Sequence, residues 1–250
     1  MNAAARLLTF AAGMLMLSAC SKTSETSFNA PPTPASRTPA PPMIVPTPTA
    51  PAFDINGLWL PSGASDVLSV VGDKPLLTAA GRRQFDANRT AAAHGDYRWD
   101  NTQRCEPPGM PRIMSFAEPV DISSDPHLIA LAFQHQRLVR FIHLDDTYPA
   151  VTDTSYMGES RGHWDGQALI VETSHFKTGP VLDSTGLPHG PKLVTTERIE
   201  RASDDTLIDH ITIRDDDMYQ RPWQAEVTLQ RKPGLQFHEE NCSAGDPPRR

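Results

Sequence analysis

The stretch GESRGHWDGQALIVET (Gly158–Thr173) decides how this chain folds. Asp165-Gly166 separates two strand-like runs, Glu159 to Trp164 and Gln167 to Thr173, and Asp-Gly in that setting is a strong hairpin signal. A two-residue turn at Asp165-Gly166 sets Trp164 opposite Gln167, Gly162 opposite Leu169, Ser160 opposite Val171 and Gly158 opposite Thr173. Side chains alternate along a strand, so Trp164, Leu169 and Val171 mark the inner face. Arg161, His163, Glu159 and Glu172 then point outward. Three small residues, Gly158, Ser160 and Gly162, line the inner side of one strand. Protein interiors are close-packed, so something must fill the space above them. A ligand is one occupant, and an aromatic such as Trp223 or Phe141 is the other.

The same pattern extends in both directions. His127 to Phe133 and Leu138 to Leu144 are apolar runs separated by a polar break. Leu193 to Arg201 and Thr206 to Ile213 flank a polar turn at Ala202–Asp205. Trp223, Ala225, Val227 and Leu229 alternate with polar residues, the period of a half-buried strand. Sequential strands with short connections predict an antiparallel meander, which must close or stack to hide its edges. The expected fold is mainly β: a single antiparallel β-barrel or sandwich, lipocalin-like in broad plan, with one N-terminal helix. That helix is predicted from Thr78 as N-cap to about Arg89, with Phe85 facing inward and Gly81 weakening it.

Ahead of this domain the chain changes character twice. A short positive start ending at Arg6 and an apolar run from Leu7 to Leu17 form a secretory signal, too short to span a bilayer. Leu17-Ser18-Ala19-Cys20 resembles the lipobox of bacterial lipoproteins, which implies a signal peptide over 1–19 and acyl chains on Cys20. Stable anchoring takes two lipid signals, which a multiply acylated cysteine supplies. By the same resemblance Ser21 favours the outer membrane, with the domain facing the periplasm. Residues 20–52 hold nine prolines between Pro31 and Pro51 among Thr, Ala and Ser, the composition of a disordered tether. Such a tether reaches at most on the order of 100 Å.

Residues 53–250 form the remaining globular domain. The chain carries a net charge of −7, and its first 52 residues are net positive, so the domain is more acidic still. That excludes nucleic acid as a partner, since its binding needs a basic footprint. Cys105 and Cys242 are the two cysteines of the domain, and an exported chain meets an oxidising compartment, so they are expected to pair. Their number and spacing do not suit a metal site, and neither a metal nor a cofactor is expected.

Several motifs suggest chemistry. Gly158-Glu-Ser160-Arg-Gly162 matches the G-x-S-x-G string of serine hydrolases, but no helix follows it and a nucleophile elbow needs one. A four-residue loop at Ala202–Asp205 would set Glu197 opposite His210 and Arg198 opposite Asp209, on opposite faces of the sheet. An inward Glu197–His210 pair is the candidate for general acid–base work. Arg112 follows the stiff segment Pro107–Pro111, and its guanidinium suits a carboxylate, of a ligand or of the protein itself. Asp215–Asp217 reads as a solvated turn rather than a calcium loop.

Taken with PLLTAAGRRQFDAN (75–88), CEPPGMPR (105–112), Phe176, Glu197-Arg198 and Pro222-Trp223, the Gly158–Thr173 hairpin is similar to a family of exported Gram-negative bacterial proteins without assigned activity. Where that family has Asp-Pro, this chain has Asp215-Asp216. The resemblance implies export and a mainly β domain, and it hands over no reaction. The leading expectation is a membrane-tethered, non-catalytic module binding a small, partly apolar molecule, with Arg112, Gly158, Ser160, Gly162 and Trp164 as candidate ligand residues. A hydrolase or isomerase using Glu197 and His210 is one alternative. An envelope-structural lipoprotein with protein partners is the other.

Overall fold

The computed structural model describes residues 53–145, 148–149, 151–238 and 242. The expected signal peptide at 1–19, Cys20 and the tether at 20–52 lie outside the described residues. The strands are β1 (Gly57–Pro61), β2 (Ser69–Val71), β3 (Val120–Ser124), β4 (Leu128–Phe133), β5 (Val139–His143), β6 (Glu159–Asp165), β7 (Ala168–Ser174), β8 (Val194–Ser203), β9 (Thr206–Arg214) and β10 (Trp223–Arg231). They form one sheet in the order β1-β3-β4-β5-β6-β7-β8-β9-β10, closed by pairing of β1 with β10, while β2 adds to β10 as an extra strand. The predicted barrel is therefore present, with nine strands in the closed circuit.

One joint departs from the antiparallel meander. Strands β5 and β6 pair in parallel, through Ile142 with Ser160 and His143 with Arg161 only. Parallel neighbours need a crossover, because the chain must return to the same end of the sheet. The longer connection between β5 and β6 supplies it.

The Asp165-Gly166 hairpin forms, but its turn falls one residue later. Asp165 pairs with Ala168 and Trp164 with Leu169, so Gly166 and Gln167 are the turn and Gly166 takes φ +59°. The register differs by two from the expected one. Because the side-chain period is also two, the inner face is the same. Ser160, Leu169, Val171 and Thr173 are buried along it.

Helix α1 spans Ala79–Ala93 with Thr78 as its N-cap, whose side chain accepts from the Gly81 amide. Gly81 has a reason beyond propensity: a Cβ there would run into the Met218 carbonyl oxygen. Phe85 is partly buried against the core. That core fills the barrel with Trp59, Ile122, Ile129, Leu131, Ile142, Leu169, Val171, Ile211, Ile213 and Leu229, continuing to Ile113 and Met114 outside the strands. The disulfide joins Cys105 to Cys242, with Cα atoms 5.6 Å apart, and ties the irregular loop to the end of the chain.

Candidate functional site

The inner face of the barrel carries charge, and a β-bulge decides which charges. The β8–β9 turn is two residues long, with Ser203 paired to Thr206, and the register shifts between Arg201 and Ser203. The extra residue moves every pair by one. Glu197 therefore lies opposite Ile211 and Asp209 opposite Ile199, while Arg198 lies opposite His210. A one-residue slip exchanges faces, so Glu197 and Asp209 share the interior. His210 turns outward, its side chain 43 % exposed and paired with Glu226 of β10 at 3.2 Å. The expected Glu197–His210 acid–base pair does not assemble.

Arg140 of β5 completes the interior cluster. Its Nε donates to Ser160 Oγ at 2.9 Å, Nη2 to Thr173 Oγ1 at 2.8 Å and Nη1 to Glu197 Oε1 at 2.8 Å, with a second bond from Nη2 to Glu197 Oε2. Ser160 Oγ and Thr173 Oγ1 also bond each other at 2.9 Å. Ser160 thus has a guanidinium and a hydroxyl as partners, with no histidine among them, so the hydrolase string carries no triad. Arg140, Ser160, Thr173, Glu197 and Asp209 are each at most 1 % exposed. Bidentate Arg–carboxylate bonding offsets the desolvation of that pair.

Asp209 is different. Neither of its carboxyl oxygens accepts a hydrogen bond from the described residues, and the group beside it is the Glu197 carboxylate, itself an acceptor. Burial, together with the Glu197 charge, pushes Asp209 well above the usual carboxylate range, and Arg140 pulls only partly against this. A proton on Asp209 resolves the conflict, since the neutral acid can donate to Glu197. Thr195 Oγ1 and Trp223 Nε1 are likewise buried without partners among the described residues.

Arg112 turns its guanidinium onto the protein. Nε and Nη2 reach Asp66 at 2.7 and 2.6 Å, and Nη1 and Nη2 reach Asp100 at 2.7 and 3.0 Å. At 1 % exposure it has no face left for a ligand. Burial raises Asp66 despite Arg112. Burial would also raise Asp100, but Arg112 and Thr102 more than offset it and hold Asp100 low. Asp183 nearby is raised by burial and held by Thr185 and the Leu68 amide. The neighbouring acidic run also differs from expectation. Asp215 is buried and accepts from the Gly190 and Asp217 amides at 2.5 and 3.1 Å, although Asp216 is exposed.

The space above the small-residue strand is occupied by protein. A Cβ on Gly162 would meet Ile142 Cγ2 at 2.8 Å and Leu144 Cδ2 at 3.3 Å. One on Gly158, at φ +70°, would meet Ser174 O, Thr173 Cγ2 and Phe176. The fillers are aliphatic residues of the adjacent strand and Phe176, whereas Phe141 is 51 % exposed on the outside. Trp164 packs edge-on against Phe53 at 5.3 Å. Gly158, Gly162 and Trp164 therefore pack against protein, and Ser160 bonds to Arg140 and Thr173. Among the described residues no group of three or more His, Cys, Asp or Glu side chains is placed to hold a metal ion.

An accessible concavity lies elsewhere, where β2 meets the start of β10. It has a volume of about 290 Å³, and its walls include Val71, Leu76, Pro222 and Trp223 with Lys74 and Arg221. The register builds it: Gln224 pairs with Val71 on one side and Thr212 on the other, bringing three strands to one rim. Arg221 donates to Asp73 at 2.6 Å, and both line the cleft. Val71 and Leu76 are exposed hydrophobics, 42 % and 45 % accessible. Sequence reasoning missed this cleft because β2 is only three residues long and exposed throughout, which leaves no periodic signal.

No known protein-family model matches the chain, and no curated protein matches it significantly.

Proposed function

We propose that this is an exported lipoprotein, held at the outer membrane by acyl chains on Cys20, whose barrel binds a small, partly apolar molecule without transforming it. The observation that carries the binding reading is the cleft between β2 and β10. Its volume of about 290 Å³ stands at the lower end for small-molecule sites, roughly 300 Å³ and upward. Apolar walls from Val71, Leu76 and Trp223 favour a hydrocarbon or ring, and Lys74 with the Arg221–Asp73 pair supplies polar contacts at the rim. Burial supports the non-catalytic reading. Ser160, Glu197 and Asp209 are buried inside the barrel and do not line the cleft.

Two measurements test this reading. Ligand-observed NMR with a library of small aromatic and aliphatic acids should find binders to the full chain, and Leu76→Asp should abolish their signals while leaving the fold intact. A library with no binders, or binders indifferent to Leu76→Asp, refutes the cleft. For the anchor, Cys20→Ser should move the protein from the membrane to the soluble periplasmic fraction, and a wild type already soluble refutes it.

A further inference from the structure

The barrel is closed unevenly. Around β5 the joints change from five residue pairs with β4 to two with β6, and β6 then makes seven with β7. The two-pair joint is also the parallel one, whose slanted hydrogen bonds are slightly weaker per residue. Strand β1 has joints of three pairs each, and the one with β10 is extended by backbone bonds from Ser62 N to Thr228 O and Lys232 N to Leu58 O. Behind the β5–β6 joint lies Arg140, which bonds from β5 to β6, β7 and β8 at once, through Ser160, Thr173 and Glu197. All of those partners are fully buried. A side chain with four hydrogen bonds thus spans the joint that has the fewest residue pairs among the described residues.

We propose that the β5–β6 seam is the line along which this barrel opens, and that Arg140 is its internal latch. Local opening draws on regions with few backbone bonds, and its free energy lies below that of global unfolding. Parting β5 from β6 breaks two residue pairs and exposes the Arg140–Glu197–Asp209 cluster to water, while β7 to β10 remain joined by six, nine and eight pairs. This is independent of the cleft, which involves neither β5 nor β6.

Hydrogen exchange on the full-length chain, resolved to individual strands, tests it. Amides of β5 and β6 that face the seam should exchange at least tenfold faster than those at the β8–β9 and β9–β10 joints. Ser160→Ala removes the β6 anchor of Arg140 and should speed exchange in β5 and β6 several-fold, leaving β9 unchanged. A covalent lock provides the opposite perturbation. His143 and Arg161 are directly paired, and neighbouring strands lie about 4.8 Å apart, within disulfide reach. Oxidised His143→Cys/Arg161→Cys should slow β5 and β6 to the rate of the other strands. Uniform exchange across the wild-type barrel overturns the proposal. So does a lock that slows every strand alike or none, or a Ser160→Ala variant with no local effect.

Discussion

Replacing Gly162 with alanine adds one methyl group where β6 lies against Ile142 of β5. An ideal Cβ there lies 2.8 Å from Ile142 Cγ2, 3.2 Å from the Ile170 carbonyl oxygen and 3.3 Å from Leu144 Cδ2. Carbon atoms prefer roughly 3.5–4.0 Å, so Ile142 must retreat by about 0.7 Å or more. It cannot do so freely. Ile142 is fully buried, and its Cγ2 sits on a β-branched carbon whose χ1 is stiff. Overpacking of this kind costs about 1–3 kcal/mol, against a gain of about 0.4–1 kcal/mol from a less flexible unfolded chain. The expected net loss is about 1–2 kcal/mol, a fall in Tm of roughly 2–8 °C for a domain this size. Urea denaturation followed by circular dichroism measures it. Ile142→Ala removes the offending carbon, so adding Gly162→Ala to that background should cost almost nothing, a coupling of about 1–2 kcal/mol. A Gly162→Ala variant as stable as wild type, or strict additivity with Ile142→Ala, refutes the claim that glycine is there to admit Ile142.

Three other outcomes follow from the buried charges and the cystine. Asp209 is raised in the folded state, so the stability from its proton is complete below about pH 4, its unfolded pKa, and is lost as pH rises through the folded value. Wild type should therefore lose up to about 1.4 kcal/mol per pH unit in that window relative to Asp209→Asn, and parallel stability–pH curves for the two proteins would contradict this. Arg112→Met strands Asp66 and Asp100 without their cation and should cost about 3–5 kcal/mol; a loss under 1 kcal/mol in urea melts would show that water reaches both acids. Reducing Cys105–Cys242, separated by 137 residues, should cost up to about 5 kcal/mol on the loop-entropy model, and an unchanged midpoint in reductant would show that the link carries no stability.

Much of this architecture was legible because β4 and β5 stand out as apolar runs, β6 and β7 by the Asp165-Gly166 between them, and β10 by its alternation. The hairpin register slipped by two without consequence, since both residue sets keep their face. The β8–β9 hairpin was less forgiving. A bulge between Arg201 and Ser203 adds one residue that no propensity marks, and it moved His210 outward and Asp209 inward. Arg140 was hidden for a related reason. In Val139–His143 the charged residue is buried while Val139 and Phe141 are exposed, an inversion of the usual alternation that appears in sequence as a plain apolar run. Its signal is distributed: an arginine at an inward position becomes sensible only with Ser160, Thr173 and Glu197 on three other strands. Strand β2 is too short to show a period, so the cleft it helps to frame was invisible.

Native mass spectrometry of the full chain, extracted in mild detergent from cells that make it naturally, tests the central claim most directly. Wild type should carry acyl mass on Cys20, together with one small molecule per chain that is lost in Leu76→Asp while the acyl mass remains. A wild-type chain that carries no small molecule, or a molecule retained unchanged in Leu76→Asp, contradicts it.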